Sequence, residues 1–227
     1  MKKKKLTFSV AGFFIALHSF SAGANESFDI TVSGTITPGA CLARLTGGGN
    51  FDYGNILSSS LSQDAHVILP VKSSSFSITC DAPSKIALKS IDNRQGTNSN
   101  PVGQDLVGRP NIPANASLFG LGLDSSNNKI GSFNLRIDDA SISADDGIAV
   151  DTIYSADNGA TWAKGGGQTG FNSVLSTWAK RGEVTPYAFK TLTGQIDLQA
   201  AIAPSSQLNL SQPVNLDGSV TVQLYYL

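Results

Sequence analysis

The stretch FDITVSGTI, residues 28–36, alternates apolar and polar side chains as a half-buried strand does. Phe28, Ile30, Val32 and Ile36 fall on one face; Asp29, Thr31, Ser33 and Thr35 fall on the other. Gly34 takes the fourth inward place, where a strand packed in its own core normally carries a side chain. Working outward, the question is what such a strand packs against.

Upstream lies a targeting segment. Lys2 to Lys5 form a basic region, Leu6 to Phe20 an apolar run, and Ala22-Gly23-Ala24 a small-residue cleavage site. The run is interrupted by His18 and two serines and falls short of the ~20 apolar residues that span a bilayer. Residues 1–24 therefore read as a secretory signal peptide rather than an anchor. Removing these 24 of 227 residues leaves 203, starting at Asn25. Four lysines leave with the signal, so the mature chain carries a formal charge of −5. That balance gives no electrostatic reason to expect a nucleic-acid partner. Low charge (15%) and 23 glycines suit an exported β protein.

Both cysteines, Cys41 and Cys80, remain after cleavage. In an exported chain the expected state is a disulfide. Closing a loop of that length stabilises a fold by about 4 kcal/mol on the chain-entropy account. With a single mature histidine, His66, and no third cysteine, a structural zinc site has too few soft ligands. No metal or cofactor is expected.

Downstream, the apolar runs are short and punctuated by Gly, Pro, Asn and Asp: KIALKSI (85–91), SLFGLGL (117–123), GSFNLRID (131–138), GQIDLQAAI (194–202) and SVTVQLYYL (219–227). SFSITCD (75–81) places Phe76, Ile78 and Cys80 on one face of a strand. One segment, FNSVLSTWAK (171–180), is a short helical candidate. Residues 92–116 and 139–150 read as loops. In the final run Val220, Val222, Leu224 and Tyr226 share a face. No sequence follows to pair with it, so a sandwich built from this chain is expected to stop one strand early. An unpaired edge along a core is an aggregation hazard unless another strand covers it.

These features together resemble the subunits of chaperone–usher pili, the surface fibres of Gram-negative bacteria. Phe28, Ile30, Val32, Gly34 and Ile36 resemble the family's N-terminal donor strand, within an extension spanning 25–36. Cys41 and Cys80 match its disulfide, FDYGNI (51–56) its aromatic–Gly turn, and Val220, Val222, Leu224, Tyr226 and Leu227 its terminal strand with a penultimate tyrosine. Two departures mark a divergent, long member. Val214 stands where the common type has a glycine, the nearest being Gly218, and the loops lengthen the chain. The resemblance implies an all-β fold over 37–227: an incomplete Ig-like β-sandwich with Greek-key order, lacking its last strand and preceded by a donor strand. It implies a structural subunit of a pilus or fimbria, built by donor-strand exchange. The expected partners are a periplasmic chaperone, an outer-membrane usher and neighbouring pilus subunits, with the chain ending at the cell surface. Val220, Val222, Leu224, Tyr226 and Leu227 would then bind the chaperone. The alternative reading is a tip-associated subunit with adhesion activity toward a host glycan or receptor, using the 92–116 and 139–190 regions.

Enzymatic readings start from YSADNGATW (154–162). Ser155, Asp157, Gly159, Thr161 and Trp162 match the Asp-box of glycan-acting propellers, which leaves a secreted glycan hydrolase as a third reading. Physically the motif describes a stapled hairpin, with Asp157 accepting from turn amides and Trp162 packing back. One copy is too few for a propeller. Asp138, Asp139, Asp145 and Asp146 lack the ligand spacing of a calcium loop. A Ser–His–Asp triad would have to use His66, which has no nucleophile-elbow partner. The glycine runs at 47–49 and 165–167 do not open a helix after a strand, so they read as loops. The chain is expected not to be an enzyme.

Overall fold

In the computed structural model, residues 30–35, 40–167, 169 and 174–227 are described. The chain divides into two units, residues 1–37 and 38–227. The signal segment, Phe28, Asp29, Ile36 and residues 171–173 of the helical candidate lie outside the described residues. Within the first unit, residues 30–35 belong to no assigned strand. Ile30 is 78% and Val32 93% exposed.

The second unit is all β among its described residues, apart from single 3-10 turns. Its strands are β1 (Cys41–Leu45), β2 (Val67–Ile68), β3 (Lys72–Ser84), β4 (Ile86–Asp92), β5 (Phe119–Gly120) and β6 (Gly131–Ile137). They continue as β7 (Ser143–Ala144), β8 (Ile148–Ser155), β9 (Ala163–Lys164), β10 (Leu175–Lys180), β11 (Phe189–Ile202) and β12 (Val220–Tyr226). Every assigned strand pairing is antiparallel. One layer runs β1-β3-β11-β6-β5, with β2 and β7 on further stretches of β11. The other runs β12-β4-β10-β8-β9, and the β7–β8 hairpin links the two.

The two layers meet over one half of the sandwich. There Ile78 and Cys80 of β3, Ile86 and Leu88 of β4, Val150 of β8, Trp178 of β10 and Leu192 of β11 form one buried cluster. Trp178 is its centre, stacked at 6.5 Å on Phe76 and edge-on at 5.7 Å to Phe189, arrangements that aromatic quadrupoles favour. The Cys41–Cys80 disulfide closes between paired positions of β1 and β3, with Cα atoms 4.0 Å apart.

Over the other half the facing layer is replaced by coil. Phe119, Leu121, Ile130, Phe133, Leu135, Ile196, Ala200 and Ile202 form a second cluster. Phe51, Tyr53, Ile56 and Leu61, then Leu208, Val214 and Leu216, pack onto it from irregular segments, followed by Val220 at the start of β12.

Two local expectations change. The helical candidate 171–180 is a strand over Leu175–Lys180, whose residues Leu175 to Ala179 are buried on both faces. Its apolar periodicity is that of a strand covered on two sides, which short runs cannot distinguish from a helix turn. Residues 139–150 hold β7 and the first residues of β8. Residues 92–116 carry no assigned strand beyond Asp92, as read from the sequence, and hold a small core, Leu106, Ile112 and Ala116 packed with Leu118 and Ala201.

A candidate strand-binding groove

The second cluster floors a groove of about 1140 Å³, above the usual range of small-molecule pockets. Leu135 of β6 and Ile196 and Leu198 of β11 lie along it, Leu57 and Leu210 are on its walls, and Val220 and Val222 of β12 close one side. Leu57, Leu210 and Val222 remain exposed. The lining is mixed, with Asn50, Asp52, Asn55, Ser58 and Gln212 set among these apolar side chains.

The strands at its margins have free edges. β12 pairs through all seven residues with β4, and β1 pairs with β3; among the described residues neither has a second strand partner. Their near ends are tied together: the Cys41 amide donates to the Tyr226 hydroxyl at 2.8 Å. Their far ends, Leu45 and Val220, line the groove. The margins are thus clasped at the disulfide end, with backbone donors and acceptors available along β12.

Alternation along β12 sorts its side chains. Val220 packs on the second cluster and Leu224 on the first, while Val222 lines the groove. Thr221 turns to the Asn93 side chain on the other face. Leu227 donates its amide to the Lys85 carbonyl. The segment entering β12 is fixed by a bidentate Arg94–Asp217 pair, 2.8 and 2.7 Å, whose guanidinium holds the Asp217 carboxyl below its usual range. Just beyond, a β-carbon on Gly218 would lie 2.9 Å from both Leu121 and the Phe133 ring. Only glycine lets the chain approach the groove floor so closely. In FDYGNI, Gly54 has φ +65° and donates to the Asp52 carboxylate at 2.7 Å, turning Phe51, Tyr53 and Ile56 onto the floor.

The other candidates lie apart from the groove. The Asp-box forms the β8–β9 hairpin: Asp157 accepts from the Ser155 hydroxyl at 2.6 Å and from the Thr161 amide and hydroxyl at 2.9 and 2.6 Å. Asn158 and Gly159 take positive φ, and a β-carbon on Gly159 would meet the Trp162 ring at 3.5 Å. These bonds, led by that from Ser155, hold the Asp157 carboxyl at about 2. A depressed carboxyl contributes stability that is complete above its ordinary pKa and is lost as pH falls through the native value. Carbon-detected NMR titration should therefore place Asp157 near 2, with amide protection of the hairpin surviving pH 3 and failing below 2. A midpoint near the ordinary carboxylate value would contradict the staple.

Asp145 accepts from the Lys190 and Thr191 amides and the Tyr187 hydroxyl, and Asp139 from Thr152. Asp138 caps the turn at Ala140, and His66 bonds Ser99 at 3.0 Å. Among the described residues no cluster of three His, Cys, Asp or Glu side chains is placed to hold a metal ion. No helix among the described residues is long and apolar enough to cross a membrane.

Comparison with known proteins bears on ancestry. Protein GltF of Escherichia coli K12 is 33% identical over 252 aligned positions, covering 99% of both chains. The chain belongs to the GltF family. YhcF of the same organism, titled an uncharacterized protein, is 30% identical over the full length of both. The family model described as "Protein of unknown function (DUF1120)" matches residues 30–134. That span takes in the Gly34 segment, the disulfide, FDYGNI and the first residues of β6, and stops before the floor residue Leu135.

The groove floor itself was not singled out in the sequence. GSFNLRID and GQIDLQAAI show the alternation that makes Phe133, Leu135, Ile196 and Leu198 inward residues. Nothing in them tells which stretch of the layer lacks a facing sheet.

Proposed function

We propose that this chain is a non-catalytic structural subunit of a surface pilus, exported through the periplasm and assembled by strand addition. In this reading an incoming strand pairs with the free edge of β12 and seats alternate apolar side chains over the Leu135–Ile196 floor. A periplasmic chaperone supplies that strand first and an outer-membrane usher passes the subunit on. Residues 28–36 of a neighbouring copy then replace it.

The observation that carries the reading is a groove with an apolar floor beside the unpaired edge of a strand whose other edge is fully paired. Strand addition supplies both missing things at once, backbone partners for affinity and side chains for register. A groove of about 1140 Å³ lying beside a free strand edge suits an extended segment better than a small substrate. The exposed alternation at Ile30 and Val32 supplies a segment of matching character. The Asp-box is a structural hairpin in this account.

Mass spectrometry of fibres sheared from cells expressing the chain tests this directly. The chain is expected as a stoichiometric component of the fibre fraction, beginning near Asn25. Recovery solely as a soluble periplasmic protein, with fibres lacking it, would overturn the assignment.

A further inference from the structure

A second cavity, about 60 Å³, sits away from the groove where the two long loop regions meet β6. Arg109, Ser117, Asn134, Arg136, Gly166 and Thr169 are among the residues around it, and among the described residues no acidic side chain lines it. One water needs about 10–15 Å³ by this kind of measure, so there is room for a small polyatomic group.

The site is built rather than incidental. Leu106 and Arg109 exchange backbone hydrogen bonds of 2.9 and 2.7 Å around a turn in which Gly108 has φ +70°. The turn is held on the sheet from both sides: the Val107 amide donates to Gln199 of β11, and Asn134 of β6 donates to the Val107 carbonyl. Gly108 lies against the Arg136 stem, where a β-carbon would come within 2.8 Å of its Cδ. On the opposite side Ser90 donates to the Thr169 carbonyl at 2.9 Å, fixing the second loop.

Two guanidinium groups line this cavity. Arg136 is paired through one nitrogen with Asp197 at 3.0 Å and lies 3.8 Å from Asp138, yet its Nε is buried with no hydrogen-bond partner among the described residues. Arg109 is partly buried and forms no ion pair among the described residues. Burial pulls its guanidinium below the usual range. A guanidinium withdrawn from water without a carboxylate is costly, and the cost is relieved by an anion that accepts its fork.

We propose that this cavity is a binding site for a small oxyanion, a carboxylate or phosphate group, held by the Arg109 fork and the Arg136 Nε. The hydroxyls of Ser117 and Thr169 are further donors, and exposed Ser117 marks the open side through which the rest of a larger ligand projects.

The test is an NMR titration of the disulfide-bonded mature chain with sodium phosphate and, separately, sodium acetate, at constant ionic strength. Saturable shifts of the Arg109 and Arg136 Nε–H signals are expected with at least one anion. Tighter binding of phosphate identifies a tetrahedral ligand, tighter binding of acetate a planar one. Arg109→Gln is expected to weaken binding at least about tenfold, and Arg109→Lys, which keeps the charge but not the fork, to fall between. Shifts that grow linearly with both anions, or equal affinity in folded Arg109→Gln protein, would overturn the proposal.

Discussion

Deleting Asn25 to Ile36 is expected to leave a folded subunit that still co-purifies with its chaperone but forms no polymer ladder on unheated gels. The buried hydrophobic residues described all lie between Leu69 and Ala203, so the sandwich keeps its core without the extension. What the deletion removes is a set of four apolar side chains, Phe28, Ile30, Val32 and Ile36. At ~1.5–3 kcal/mol each their burial supplies a gross ~6–12 kcal/mol, reduced by the ordering of a free segment. Loss of that contribution abolishes assembly rather than slowing it. Gly34→Leu sharpens the test, because it keeps the apolar set and adds bulk where the alternation leaves a gap. Ladders should be delayed or absent through overpacking, with chaperone binding unchanged. Normal ladders from the deletion would mean that residues 25–36 serve their own subunit.

Replacing Val222 and Leu224 together with Asp is expected to abolish periplasmic accumulation. Leu224 packs on the Trp178 cluster, so its carboxylate enters apolar surroundings, while that at the exposed Val222 charges the groove margin of the strand proposed to receive the chaperone. An unpartnered polar group in such surroundings costs roughly 2–7 kcal/mol, against a total stability of about 5–15 kcal/mol for a domain. The same strand contains its own control. Gln223 is exposed on the opposite face of the alternation, and Gln223→Asp should leave accumulation near wild type. Immunoblots of periplasmic extracts with chaperone pull-down measure both. Equal accumulation of the double variant and the control would separate β12 from chaperone binding.

Much of the strand layout was legible in the sequence. Short apolar runs bounded by Gly, Pro, Asn and Asp located β4, β6 and β11, and alternation located β3 and β12; β8 was not located, its start being read as loop. Phe76, Ile78 and Cys80 on β3 and the terminal run on β12 were legible through that alternation. Leu175–Lys180 was not, since a strand buried on both faces has no alternation to read. The groove was half legible. Its β12 margin followed from the final nine residues, whereas its floor depends on which part of β6 and β11 is roofed by coil instead of sheet. That is a property of long-range packing between segments over 130 residues apart, such as Tyr53 with β11, where its hydroxyl reaches the Leu198 carbonyl at 3.5 Å. Gly218 is a further case. Its value lies in the nearness of Phe133 and Leu121, which no local pattern announces.

The most direct test of strand exchange places a photo-crosslinking amino acid at Val32 in the otherwise intact mature chain. Equal amounts of isotopically light and heavy protein are mixed, assembled and irradiated, and the crosslinked peptides are sequenced by mass spectrometry. The account predicts mixed light–heavy pairs joining position 32 to groove residues Leu135, Ile196, Leu198 or Val222 of another copy. Crosslinks confined to the same copy, or mapping to surfaces outside the groove, would contradict it.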